Sequence, residues 1–319
     1  MNNTWQPSKV AVLGAGTMGP GIAFTYAAAG FEVSLYSRTE ATLAKAKTVL
    51  QGIADTFEAE RVMPQTASLA ALQRISFTAS LAEAVSSTHI LVETIKEDIA
   101  AKQALFAEAD KYAPPDAIFA SNTSELDVFV LMPERRRPKG IITHWFMPPH
   151  IVPLVEIVRG PETDDETVEV CKQLTVDIGK TPVYMPKYSY GFIINRIQRA
   201  AYQECMYLID NGFATAEDID IAVKTSMMPR ASLMGIFQTK DFNGLYMIDY
   251  ENDPTLSPIL KEKISKGELG AQSGIGWYDY QGVSPEELYQ KRDRELIRIF
   301  KFCEPYAGNF FAPAAPDNP

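Results

Sequence analysis

The chain has 319 residues, 46% hydrophobic and 22% charged, which suits two domains better than a single core. A formal charge of −10 with no Lys/Arg stripe speaks against nucleic acid as a partner, and no apolar run approaches a membrane span. Three cysteines (Cys171, Cys205, Cys303) stand far apart without a C-x-x-C, and three histidines lack metal-ligand spacing. Together these exclude a disulfide frame and a zinc site and, with no signal-like apolar run near Met1 and no peroxisomal or retention address at the other end, imply a cytoplasmic protein.

Read in chain order, the first half alternates short apolar runs with helical patterns, the habit of a parallel sheet. Strands are expected at Val10–Gly14, Glu32–Tyr36, Ile75–Phe77, His89–Thr94, Ala117–Ser121 and Gly140–Phe146. Helices are expected near Thr17–Gly30, Glu40–Ala59 and Ile99–Tyr112. A further strand at Leu154–Val158, a helix at Thr163–Ile178 and a strand at Thr181–Met185 follow. Beyond Pro186-Lys187-Tyr188-Ser189 the pattern turns helical, starting with a long segment from Phe192 to about Asp210. The fold class is therefore α/β: an N-terminal domain built on a parallel sheet at 1–187, followed by an all-helical C-terminal domain at 188–319. A Pro-rich tail, Ala312–Pro319, is expected to fray.

The first turn reads Gly14-Ala15-Gly16-Thr17-Met18-Gly19, a G-x-G-x-x-G set between an apolar strand and a helix taken as amphipathic. In that setting it predicts a dinucleotide site. Gly14 permits the tight turn, Gly16 admits a pyrophosphate, and Gly19 allows the helix to approach closely. The free N–H groups of the helix start, at Thr17 and Met18, would face phosphate. The basic run Arg135-Arg136-Arg137-Pro138-Lys139 reads as a solvated turn, with a phosphate contact as the sharper alternative.

Ligands of open α/β sheets gather beyond the carboxyl ends of the strands. Ser121-Asn122-Thr123-Ser124 follows the fifth strand, and His144 lies near the end of the sixth. If the turn Met147-Pro148-Pro149-His150 reverses the chain, positions summing to 300 face each other and His144 meets Glu156. A His held by a carboxylate is a natural general base for removing a hydroxyl proton. His150 reads as a turn residue and His89 as structural.

At this point the chain resembles the 3-hydroxyacyl-CoA dehydrogenase family, within the branch of 3-hydroxybutyryl-CoA and lambda-crystallin-like hydroxy-acid dehydrogenases. The matching segments are Gly14–Ala23, Leu91–Phe106, Ala120–Ser124, His144–Glu156, Gly191–Arg196 and the glycine-rich Lys266–Gly270 and Ser273–Tyr278. The resemblance implies a Rossmann-type domain followed by a helical domain that forms a homodimer. It implies reversible oxidation of a 3-hydroxy to a 3-keto group with NAD(P). His144 would be the catalytic base and Glu156 its partner, and Ser124 and Asn195 would position the substrate oxygen. Asn122 would lie near the nicotinamide, while Glu93, Glu97 and Lys102 would border the cofactor or the cleft.

The chain also departs from the family pattern. The acid expected on the adenosine ribose is replaced by Ser37-Arg38, which removes a repulsion and supplies a phosphate partner. That tips the reading towards NADP, with stacking on adenine as the other use of Arg38. Met147 stands where the family carries an Asn. Arg230 is a candidate for pairing a substrate carboxylate, although a structural Arg fits the sequence as well. Basic residues that would greet CoA are few, Lys45, Lys47 and Arg61 among several acids. Three functions follow: a dehydrogenase of 3-hydroxyacyl substrates, a dehydrogenase of small free hydroxy acids without CoA recognition, and a non-catalytic cofactor binder. The first two take a small molecule as their partner.

Overall fold

The computed structural model describes residues 8–245 and 256–308. The tail expected to fray lies outside the described residues. Two compact units divide at Ala200/Ala201.

The first unit is built on one eight-stranded sheet. In chain order the strands are β1 (Lys9–Leu13), β2 (Glu32–Tyr36), β3 (Ile75–Thr78), β4 (Ile90–Glu93), β5 (Ile118–Ser121), β6 (Gly140–Trp145), β7 (Leu154–Arg159) and β8 (Thr181–Met185). They lie side by side as β3-β2-β1-β4-β5-β6-β7-β8. Every pairing is parallel except β6 with β7. The central strands β4, β5 and β6 are buried along their whole length, as strands covered on both faces must be. Alternate side chains feed opposite cores: Val10 and Val12 of β1 join one cluster, Ala11 and Leu13 the other.

The helices of this unit are α1 (Gly19–Ala28), α2 (Glu40–Ala59), α3 (Gln65–Gln73), α4 (Leu81–Val85), α5 (Ile99–Ala109) and α6 (Asp165–Asp177), and α7 (Ile194–Asp210) leads out of it. Several begin at side-chain caps: Thr39 accepts from the Thr42 N–H, Asp98 from Ala101 and Asp164 from Thr167. The expectation that α1 is amphipathic is corrected. Gly19 to Ala27 are all buried, because α1 packs on the sheet, on α2 and α3, and against the turn after β6. A Cβ at Gly21 would stand 2.7 Å from Pro149 Cγ.

The basic run before β6 is likewise no solvated turn at its centre. Arg136 is 2% exposed. Its guanidinium donates to Asp110 at 2.5 Å, to the Pro114 and Pro115 carbonyls at 2.7 Å and to Ala113 at 2.8 Å, and it covers the Phe119 ring. Arg135, Arg137 and Lys139 pair with Asp110, Glu162 and Glu166 in turn. A fork of five donors satisfies the carbonyls after α5, a use that a run of like charge conceals.

Among the described residues the second unit holds helices and turns, with isolated β-bridges joining Gly270 to Ile275 and Ile275 to Asp279. Its helices are α8 (Ala216–Ala222), α9 (Met228–Asn243), α10 (Pro258–Ser265) and α11 (Pro285–Cys303). Asp241 is fully buried and accepts from the Trp277 and Tyr278 N–H groups and the Tyr280 hydroxyl. It thereby anchors the glycine-rich turn to α9. No described helix is long and apolar enough to cross a membrane.

Candidate active site

β1 leads to β2 and β3 on one side of the sheet, while β4 and its successors lie on the other. The crevice opens where the order reverses, above the carboxyl ends of β1 and β4. A cavity of about 760 Å³ fills it, within the range of small-molecule sites. Gly14, Gly16, Thr17, Met18, Ser37, Arg38, Glu97, Asn122 and Ser124 all line it.

The three glycines differ in their surroundings. Gly14 has φ +127°, and a Cβ there would lie 2.6 Å from the Thr94 carbonyl oxygen. A Cβ on Gly19 would sit 1.8 Å from the Gly14 oxygen, so this glycine closes the helix onto its own turn. A Cβ on Gly16 would meet nothing within 4 Å. Gly16 therefore faces open space in a loop that lines the cavity, the feature a dinucleotide pyrophosphate requires. At the far end, Arg38 is exposed. Among the described residues its guanidinium pairs with no acceptor.

Glu93 and Lys102, expected to border the cofactor or the cleft, are buried side by side. Their side chains are 0% and 1% exposed, with Nζ 2.6 Å from Oε1. Glu93 also accepts from the Ile95 N–H at 2.8 Å and from the Ser121 hydroxyl at 2.5 Å. Burial pushes its carboxyl up, against the pull of the Lys102 ammonium. Lys102 reaches on to Glu97 at 3.3 Å. Glu97 accepts from the Thr123 hydroxyl at 2.9 Å and from the Ser124 N–H. The buried pair thus shapes the loop that presents Ser124. Asn122 joins three strand ends: its amide donates to Thr94 Oγ1 at 3.2 Å and its carbonyl accepts from the Trp145 N–H at 2.8 Å.

The hairpin arithmetic holds. β6 and β7 are antiparallel with His144 opposite Glu156. His144 Nδ1 lies 2.8 Å from Glu156 Oε2, and the two side chains are 5% and 0% exposed. The other carboxylate oxygen accepts from the Ile193 and Ile194 N–H groups, at 3.1 and 2.9 Å, where α7 begins. Next along α7, the Asn195 amide meets the Ser124 carbonyl at 3.3 Å. Lys180 steadies the turn between the strands: its Nζ donates to Pro149 and Val152 at 2.6 and 2.8 Å. Burial pulls that ammonium down to about 8. Met147 is exposed. Arg230 lies in the second unit, where its Nε donates to the Ser226 carbonyl at 3.0 Å and its Nη2 meets the Ser226 hydroxyl at 3.1 Å.

Phe192 was not foreseen. Its ring lies 5.1 Å from that of His144, it is 1% exposed, and its φ is +52°. A buried aromatic held in the left-handed region is strained backbone of the kind that clusters at working sites. Its one trace in the sequence is the preceding Gly191, itself at φ +74°.

A switch-point crevice, a glycine turn and a His–carboxylate pair constrain the chemistry, and comparison with known proteins decides the family. Residues 9–188 match the 3-hydroxyacyl-CoA dehydrogenase NAD-binding domain, and residues 191–280 match the C-terminal domain of the same enzymes. The chain belongs to the 3-hydroxyacyl-CoA dehydrogenase family. It is 34% identical to a probable 3-hydroxybutyryl-CoA dehydrogenase of Bacillus subtilis, over 86% of this chain and 97% of the relative. It is 28% identical to the 5-formyl-3-hydroxy-2-methylpyridine 4-carboxylate 5-dehydrogenase of Mesorhizobium japonicum, over 93% and 98%. Among solved structures, a 3-hydroxyacyl-CoA dehydrogenase of Archaeoglobus fulgidus superposes with a TM-score of 0.76 at 29% identity, covering 93% of this chain and 99% of that one. This dehydrogenase is therefore an oxidoreductase that acts on a CH–OH group with a nicotinamide cofactor of the NAD type. These relatives lend no support to a non-catalytic binder.

Proposed function

We propose that this dehydrogenase interconverts a 3-hydroxyacyl compound, as a CoA ester or free acid, and its 3-keto form, with His144 as general base. The observation that carries this reading is the buried His144–Glu156 pair at the carboxyl end of β6, beside the loop that presents Ser124. The turn of Gly14, Gly16 and Gly19 would hold the dinucleotide, and its nicotinamide would supply the hydride acceptor or donor. Glu156 accepts from Nδ1–H of His144, which leaves Nε2 free to take the substrate hydroxyl proton. The carboxylate then stabilises the imidazolium, while Ile193 and Ile194 hold it in place. Ser124 and Asn195 orient the substrate oxygen, and Phe192 and Phe146 fix the plane of the imidazole.

Two finer readings accompany this one. The unpaired Arg38, with no acid at Ser37, supports NADP as the preferred cofactor. Exposed apolar residues on the helices of the second unit support a homodimer, and the three free cysteines fit residence in the cytoplasm.

The deciding experiment is His144→Ala, assayed with 3-hydroxybutyryl-CoA and free 3-hydroxybutyrate. Turnover should fall by roughly two to four powers of ten, with NADH or NADPH affinity retained. Turnover that survives the change intact refutes the base assignment.

A further inference from the structure

Asn195, beside Ser124, is followed one helical turn later on α7 by Arg199. Residues four apart leave a helix on the same face. Glu125, the next residue of the same loop, binds one edge of the Arg199 guanidinium and accepts from the Tyr190 hydroxyl at 2.5 Å. The guanidinium also stands 4.9 Å from the centre of the Tyr190 ring, and the Tyr188 hydroxyl ties the Glu125 carbonyl at 2.5 Å. The hydrogen bond to Glu125 holds the Tyr190 phenol above its ordinary value, so Tyr190 stays a donor. A second guanidinium, Arg196, lies alongside, meeting the Ser189 hydroxyl and the Tyr190 carbonyl at 3.4 Å.

Arg199 is thus fixed on one edge and one face, yet its side chain is 42% exposed. Among the described residues no acceptor meets its Nε or Nη1, so the edge that Glu125 leaves open joins one of these to the second N–H of Nη2. A planar fork that is immobilised but half unused suits a carboxylate, which takes two parallel N–H donors where a thioester offers only a neutral carbonyl.

We propose that the open edge of Arg199 binds the carboxylate of a small free hydroxy acid whose hydroxyl group is presented to His144. This rests on the dehydrogenase reading above and narrows it, assigning carboxylate recognition to α7 and not to Arg230. Glu125 and Tyr190 hold the fork in place, and Arg199 sets specificity without taking part in proton or hydride transfer.

The test compares three probes that share a 3-hydroxyl: 3-hydroxybutyrate, its uncharged isostere 3-hydroxybutanamide, and 3-hydroxybutyryl-CoA. Wild type should prefer the free acid over both others. Arg199→Leu should raise KM for the acid by about 10- to 100-fold, the loss of a charge-assisted hydrogen bond, while leaving KM for the amide within about twofold. Arg199→Lys should recover part of the loss, and NADH affinity should stay unchanged in both variants as a check on folding. Equal losses on acid and amide would make Arg199 a brace for the Glu125 loop and overturn the proposal, as would a wild type that prefers the thioester. If none of the three is oxidised with NAD or NADP, the dehydrogenase reading fails at its root, an outcome distinct from an unselective Arg199.

Discussion

Arg38 is the side chain on which the proposed cofactor preference turns. Its guanidinium lies at the exposed end of the crevice, unpaired among the described residues, and the neighbouring position is a hydroxyl and not a carboxylate. A 2′-phosphate there would gain a charge-assisted bond, and NAD would gain nothing from it. Arg38→Asp should therefore weaken NADPH binding by about 10- to 100-fold and leave or improve NADH binding, read by fluorescence titration. A wild type that favours NADH would assign Arg38 to stacking on adenine. The placements of His144 opposite Glu156 and of Ser124 and Arg38 along the crevice were legible in the sequence, because each stands in a motif or at a strand end. Arg136 and Phe192 were not. A buried arginine looks like any other in a basic run, and nothing in a single sequence tells a phenylalanine of the core from one in left-handed backbone beside a histidine. Glu93 and Lys102 belong to the matched segments, but whether a charged residue faces a cleft or lies beneath it depends on packing that the motif does not encode.

Among the elements, the turn from β1 to α1 separates two uses of glycine. Gly19→Ala would drive a methyl group into the Gly14 carbonyl, at a distance no packing tolerates, so the helix must shift or the fold must loosen. Gly16→Ala adds the same methyl to open space. The first change should cost at least about 1–3 kcal/mol of stability, the usual toll of overpacking. The second should leave Tm unchanged and weaken the cofactor at least about tenfold. Thermal melts paired with NADH titration check both, and a Gly16→Ala variant that binds NADH normally would mean the pyrophosphate lies elsewhere. The strands were readable because each is a short apolar run between turn residues, and the β6–β7 register followed from counting across a turn whose prolines left the pairing intact. The burial of α1 was hidden. Hydrophobic periodicity reports one apolar face, whereas this helix is enclosed by the sheet, two helices and a proline-rich turn.

At the scale of the whole molecule, apolar side chains of the second unit stand exposed among the described residues. α8, α10 and α11 contain no buried residue, although α11 carries Leu288, Ile297, Phe300 and Phe302 on a nineteen-residue helix. Ile236 on α9 is 52% exposed, Ile297 on α11 57% and Phe302 73%. Exposed apolar residues of this kind would suit the proposed homodimer, since a second copy of the same unit would present the same residues, as a two-fold interface requires. The chain, at 35.4 kDa, should then sediment as a species of twice that mass. Replacing Ile236 and Ile297 together by Asp places charges where a dry interface would form and should yield the single-chain mass at micromolar concentration. Helical content by circular dichroism should be retained, since both side chains are exposed in the single chain. A wild type of single-chain mass would refute the dimer, and a double variant of unchanged mass would move the interface away from α9 and α11.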